Sequence, residues 1–305
     1  LPVTVHALGS VTKNCEGKEL AEMYDMQASG TAAFSDGTEP VQNAGLMLKA
    51  LQYVKTFDGV VIQVPVDKSI GQFGLMNEGI TSTQLGLPGI PAIAEEIMVK
   101  RDIDLLRYTQ SKLHLTGIST ANSLELIKNA KAEGLQISCS VTPYHLFFCD
   151  EDLSEYNTNL KVNPPLRSKQ DMLALRAGIE DGSIDCIATH HQPHNWDSKV
   201  CEFEYAKNGM IGLQTAFAIL NEVLPQLSHS AITNVLSNNA RKLFGLPASI
   251  IKESTIANCT LFTKADSTIV SKENNKSKSY NTPFNNHTFN GKVIGIFTKG
   301  NLLLN

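Results

Sequence analysis

The sequence predicts an α/β fold, a (β/α)8 TIM-type barrel followed by a small β domain, and three observations carry that reading. Short β-rich runs alternate with helical patterns from residue 2 to about 246, which is the signature of parallel βαβ units. The strand runs are apolar on both faces, as expected when helices cover a sheet. No GxGxxG follows a first strand, so an open doubly wound sheet, which fits the first two observations equally, has the weaker support.

The elements follow in order. "PVTVHAL" (2–8) reads as a strand, and "GKELAEMYDMQASG" as a helix stopped by Gly30. "TAAFSD" (31–36) is the next strand, "VQNAGLMLKALQYVKTF" the next helix and "GVVIQVPV" (59–66) the strand after it. A long helix over "IPAIAEEIMVKRDIDLLRYTQS" opens with Pro91 near its first turn, where a missing N–H costs nothing. "KLHLTGI" (112–118) precedes "STANSLELIKNAKAEG", capped by Ser119 or Thr120 and ended by Gly134. "LQISCSVTP" (135–143), "NLKVN", the helix "SKQDMLALRAGIEDG" and the strand "SIDCIAT" (183–189) continue the alternation, and helices fill roughly 212–245. Beyond Leu246 the texture changes to long alternating strands around a polar stretch, so residues 1–246 are assigned to the barrel and 247–305 to the β domain.

Composition narrows the function. A net charge of -4 argues against nucleic acid as a partner, and no run approaches the roughly 18 apolar residues of a membrane span. The opening "LPVTVHALGS" lacks the features of a secretory signal. Six scattered cysteines without a CxxC pair read as reduced thiols of a cytoplasmic protein, which makes "NCT", "NKS" and "NHT" chance sequons.

Catalytic groups of barrel enzymes sit at the carboxyl ends of strands. Those ends carry Ser35 and Asp36, Gln63 and Val64, Thr116 and Gly117, Thr142, Asn163 and His190. A hydrolytic metal site needs several His, Asp or Glu among them, and only Asp36 and the histidines of "IATHHQPH" qualify. His190 and His191 fall on opposite sides of an extended segment, so they do not share one ion with His194, and hydrogen-bonded loop histidines are the plainer reading. His114 reads as a structural strand histidine. In "VNPPLRS" two prolines place Asn163 and Arg167 at a strand mouth, where an amide and a planar guanidinium can recognise a carboxylate, or where the Arg is simply solvated.

Over nearly its whole length the chain resembles dihydroorotase, in "LMNEGITSTQLGLPGIPAIAEEIMVKRDIDL", "ISTANSLELIKNAKAEG", "SVTPYHL", "NLKVNPPLRS", "GSIDCIATHHQPH" and "GMIGLQTAFAIL", and in the tail motifs "GLPASI", "NCTLF" and "KSYNTPF". The resemblance implies an amidohydrolase barrel of pyrimidine biosynthesis that interconverts N-carbamoyl-aspartate and dihydroorotate. Zinc there activates water and an aspartate carries the proton. It also places the first barrel strands and a His-x-His metal pair upstream of Leu1, so the expectation is a barrel incomplete in this chain or closed by other residues. An acidic ligand position falls on Gly37 beside Asp36, the two being exchangeable in that alignment. Ligand histidine positions fall on Val64 and Gly117, and the catalytic aspartate position falls on His190. Asn163 and His194 match substrate-contacting positions, with Arg167 beside them.

The implied function is a dihydroorotase-like protein with no metal ligands of its own and no cofactor, non-catalytic, oligomeric, and a structural partner of aspartate transcarbamoylase. Two alternatives stand beside it: an active dihydroorotase using His190 as acid/base, and a pseudoenzyme that binds a pyrimidine intermediate or another small ligand.

Overall fold

The computed structural model describes residues 3–305. Six short strands form one parallel sheet: β1 Leu8–Gly9, β2 Ala33–Phe34, β3 Val61–Gln63, β6 Leu113–Thr116, β7 Ile137–Val141 and β8 Cys186–Ile187. Between β3 and β6 lies a separate parallel pair, β4 Met76–Asn77 and β5 Gly89–Ile90. The large sheet runs β1-β2-β3-β6-β7-β8, so each strand is added at the same edge in chain order. A doubly wound sheet reverses direction at a switch point. This one does not, and the order is that of a barrel wall. Among the described residues the wall is an open arc in which β8 does not pair with β1.

Helices α1 Met23–Ala28, α2 Ala44–Lys55, α3 Ile80–Leu85, α4 Ile93–Thr109, α5 Ala121–Ala132, α6 Pro143–Phe147 and α7 Lys169–Glu180 connect the strands. Each expected helix forms, a few residues shorter than its pattern. Thr120 rather than Ser119 caps α5, accepting a hydrogen bond from the Ser123 N–H, and Gly134 (φ +84°) ends the segment. The core lies between sheet and helices. Leu51, Val54, Val99, Leu106, Leu115, Ile127, Cys139 and Leu175 meet there, nearly all without solvent contact.

Two strand expectations are corrected. The strand expected over 2–8 begins only at Leu8; Pro2 lies outside the described residues and 3–7 form no ladder. "NLKVN" is not a strand: Thr158–Leu160 is a 3-10 turn, Leu160 and Val162 enter a second apolar cluster, and the Lys161 ammonium donates to the carbonyls of Phe203 and Glu204 at 2.8 Å each. The chain therefore coils toward the loop over residues 199–210, and no neighbour strand satisfies its backbone.

After β8 come α8 Ala216–Val223, α9 His229–Thr233 and, through a π turn over Asn234–Asn238, α10 Asn239–Leu243. The tail forms an antiparallel sheet of β9 Cys259–Ile269, β10 Thr288–Thr298 and β11 Asn301–Leu304, with β10 central. It docks on α8. Asn221 Nδ2 donates to the Asn290 carbonyl at 2.9 Å, and Phe289 is fully buried beside Phe284. All six cysteines are free, and no helix among the described residues is long and apolar enough to cross a membrane.

Candidate functional site

The carboxyl ends of the parallel strands open into a cavity of about 390 Å³. Its wall includes Ile62 of β3 and Val64 just after it, His114 and Thr116 of β6, Ser140 of β7, Asn163, Ile187 of β8, His190 and His191 beyond β8, and Phe244 just after α10. Sheet register explains why polar groups gather there. His114 pairs with Ser138 and Thr116 with Ser140, so alternate positions of β6 and β7 face inward. The intervening Leu115 and Cys139 face the helices.

Those inward groups form one chain of hydrogen bonds. Ser138 Oγ lies 2.8 Å from His114 Nδ1 and Ser140 Oγ lies 3.0 Å from His114 Nε2. Ser140 Oγ donates to Thr116 Oγ1 at 2.9 Å, and Thr116 Oγ1 lies 2.8 Å from His190 Nε2. Each hydroxyl has one proton to give, so with the Ser140 proton spent on Thr116, His114 Nε2 is the donor to Ser140. Thr116 Oγ1 and His190 Nε2 share the last bond, whose direction follows the tautomer of that ring. His190 Nδ1 makes no hydrogen bond to the protein. Burial holds both rings down, His114 to about 3 and His190 to about 4.

His190 occupies its place at a backbone cost, with φ +41° in a region that non-glycine residues seldom adopt. The turn lays its ring over Gly117. A Cβ built on Gly117 would stand 2.6 Å from His190 Cε1, and Gly117 itself has φ +74°. A side chain at 117 and the ring at 190 therefore exclude each other.

Asp36 is not available to the cavity. Its carboxylate accepts from the N–H groups of Val11 and Thr12 at 2.8 and 3.0 Å and from the Thr12 hydroxyl, tying the segment after β1 to the end of β2. Gly37, not Asp36, lines the cavity. The zinc site that the family resemblance implies does not fit these residues. Val64 and Gly117 have no donor atoms, Asp36 is spent, and His114 and His190 have an Nε2 engaged by hydroxyls. Among the described residues, no group of three or more His, Cys, Asp or Glu could hold a metal ion.

The structure brings Asn163, singled out for substrate contact, and His190, at the catalytic position, to one cavity. Asn163 is half-buried, its side chain makes no hydrogen bond to the protein, and it also lines the neighbouring outer groove. His191 shares the wall but turns its Nδ1 to the Gly212 N–H at 3.1 Å. His194 is corrected: its Nε2 lies 2.8 Å from the Asn208 carbonyl, the Asn281 side chain holds its backbone, and it does not line the cavity.

Arg167 is also corrected. It is 3% exposed and donates to Asn77 Oδ1 (3.0 Å), the Ile90 carbonyl (2.6 Å) and Ser119 Oγ (3.2 Å). Burial lowers its pKa, with Glu95 the first group opposing the shift. Glu95 in turn accepts from the N–H groups of Ser119 and Thr120 at the start of α5, and Asn77 donates to Asp150 at 2.7 Å. Through Nε and Nη1 the buried guanidinium ties β4, β5 and the turn before α5 together, and Arg167 does not line the cavity. Sequence reasoning placed Thr116 at a strand end without a role and missed Ser138 and Ser140; the signal was polar residues at alternate positions of two otherwise apolar strands.

Comparison with known proteins agrees with the resemblance. A family model described as "Dihydro-orotase-like" matches residues 2–123. A protein named dihydroorotase from Syntrophus aciditrophicus is 39% identical over 303 residues, which cover 99% of this chain and 71% of that protein. One of the same name from Pelotomaculum thermopropionicum is 43% identical over 308 residues, covering 99% and 71%. Among solved structures, L-hydantoinase (dihydropyrimidinase) from Arthrobacter aurescens superimposes with a TM-score of 0.86 at 21% identity, covering all of this chain and 70% of that one. A D-hydantoinase from a Thermus species gives 0.81 at 18% identity, covering 99% and 69%. These likenesses carry the fold: an α/β barrel wall with a separate β sheet.

Proposed function

This chain belongs to the dihydroorotase family, and from that premise we propose that it is a non-catalytic member serving pyrimidine biosynthesis as a structural partner, with aspartate transcarbamoylase as the partner to test first. One observation carries the reading. At the strand ends where the family's chemistry needs metal donors and a carboxylate, this chain presents Val64, Gly117 and a desolvated imidazole locked over that glycine. Without a metal, nothing in the cavity brings a water molecule's pKa near neutrality, so hydroxide is not available to attack an amide. His190 has its Nε2 tied to Thr116 and is held neutral by burial, which suits a wall and not a group that must take and return a proton. The protein is then cytoplasmic, oligomeric through its partner, and free of a zinc cofactor.

A second reading rests on the relatives at 39 to 43% identity named dihydroorotase: an active enzyme in which His190 carries the proton. The same experiment separates the two. The full-length protein is exposed to excess zinc, desalted, analysed for metal and assayed for ring opening of dihydroorotate. Near-zero metal and no turnover are expected. One or two tightly held ions per chain together with turnover would overturn the non-catalytic reading. Co-elution with aspartate transcarbamoylase on a sizing column tests the partner directly.

A further inference from the structure

The cavity at the strand ends is not merely a dismantled site. Among the described residues its lining contains no Asp, Glu, Lys or Arg, and burial holds His114 and His190 neutral. Apolar side chains form one side: Ile62, Val64, Ile187 and Phe244, whose ring meets His114 edge-on at 5.4 Å. Against this stand polar groups with capacity to spare. His190 engages Thr116 through Nε2 and keeps Nδ1 unengaged, Asn163 keeps a whole carboxamide, and Thr38 and Gln192 lie on the same wall. An apolar wall with a few unspent polar groups, in a volume of about 390 Å³, is the makeup of a small-molecule site.

We propose that this cavity binds an uncharged small molecule that presents an apolar ring to the Phe244 side and one amide-type edge to Asn163 and His190. The C=O and N–H of that edge are met between His190 Nδ1 and the Asn163 carboxamide, which can both donate and accept. A carboxylate is disfavoured. It would be desolvated with no cation in the lining to compensate, since Arg167 is consumed behind the wall. The selectivity is thus opposite in charge to a site for a dicarboxylate. The proposal goes beyond the partner role and is measured with no partner present, so either can fail without the other.

The test uses two probes of nearly equal shape and different charge, benzamide and benzoate, titrated into the full chain by calorimetry at pH 7.5. Benzamide is expected to bind saturably in the millimolar range, with benzoate at least tenfold weaker. Asn163→Leu and His190→Phe are each expected to weaken benzamide at least fivefold, and His190→Phe keeps a ring over Gly117 should the first variant not fold. Benzoate binding as tightly as benzamide, no saturable binding of benzamide, or wild-type affinity in both folded variants would overturn the proposal.

Discussion

Acid should loosen this protein through two histidines that never meet water. His114 and His145 are 3% and 2% exposed, and burial depresses both to about 3. His145 has Nδ1 at 2.7 Å from Thr142 Oγ1 and Nε2 near the carbonyls of Pro164 and Pro165, so it is satisfied as a neutral ring. Because the folded pKa lies below the unfolded value of 6.5, the unfolded chain binds more protons. The stabilisation is therefore complete above pH 6.5 and drains away as pH falls toward 3. Between pH 7 and pH 5 each ring costs about 1.9 kcal/mol.

Asp102 works in the opposite direction. Its complete burial raises it to about 6, against the pull of Arg101, so it takes a proton in the folded state first. That returns about 1.3 kcal/mol over the same interval. His190, held to about 4, adds about 1.8 kcal/mol to the loss. The histidines win, and a net loss of about 4 kcal/mol is expected. Denaturant midpoints at pH 7 and pH 5 measure it. Asp102→Asn should deepen the loss to about 5.5 kcal/mol by removing the offset. A stability that is level or rises between pH 7 and pH 5 would refute the reasoning.

The other expectations concern single contacts. Gly117→Ala should cost about 2–3 kcal/mol, from the positive φ and the His190 ring together, falling to about 1 kcal/mol in a His190→Ala background; additive costs in a thermal-melt cycle would deny the steric coupling. Asp36→Ala leaves the Val11 and Thr12 N–H groups without their acceptor and should lower stability by about 3 kcal/mol with little effect on benzamide affinity. Arg167→Met should cost about 3–5 kcal/mol by stranding Asn77, the Ile90 carbonyl and the charge of Glu95, again without changing ligand affinity. A large affinity loss in folded Arg167→Met would return that residue to the ligand's side.

Much of the barrel wall was legible because its strands are runs such as "KLHLTGI" and "LQISCSVTP", apolar enough to demand cover and ended by turn residues. Lengths were not legible, since a ladder lasts only where a neighbour is in register; β2 keeps two residues and β3 three. "NLKVN" misled because its alternation is that of a strand, while the partners that draw Lys161 away lie some forty residues later. His190 stood out as one of three crowded histidines. Its partner Thr116 did not, because their contact spans 74 positions and depends on the turn at φ +41°. For Arg167 the residue type was suggestive and the direction invisible: a guanidinium at a strand mouth can point in or back, and only Asn77, Ser119 and Glu95 decide it.

The seating of His190 on Gly117 also orders the history this pair of positions can follow. While the ring is in place, every replacement of the glycine begins with a collision and an unfavourable backbone angle. Variation at 117 is costly until 190 has changed first. Loss of the glycine's neighbour is open at any time; loss of the glycine is not. Positions coupled in this one-way fashion behave as a ratchet, in which one substitution makes another conditional on its own reversal. Any lineage that carries this histidine, seated where a Cβ at 117 would stand 2.6 Å from its ring, has made a side chain at 117 easiest to reach by way of 190.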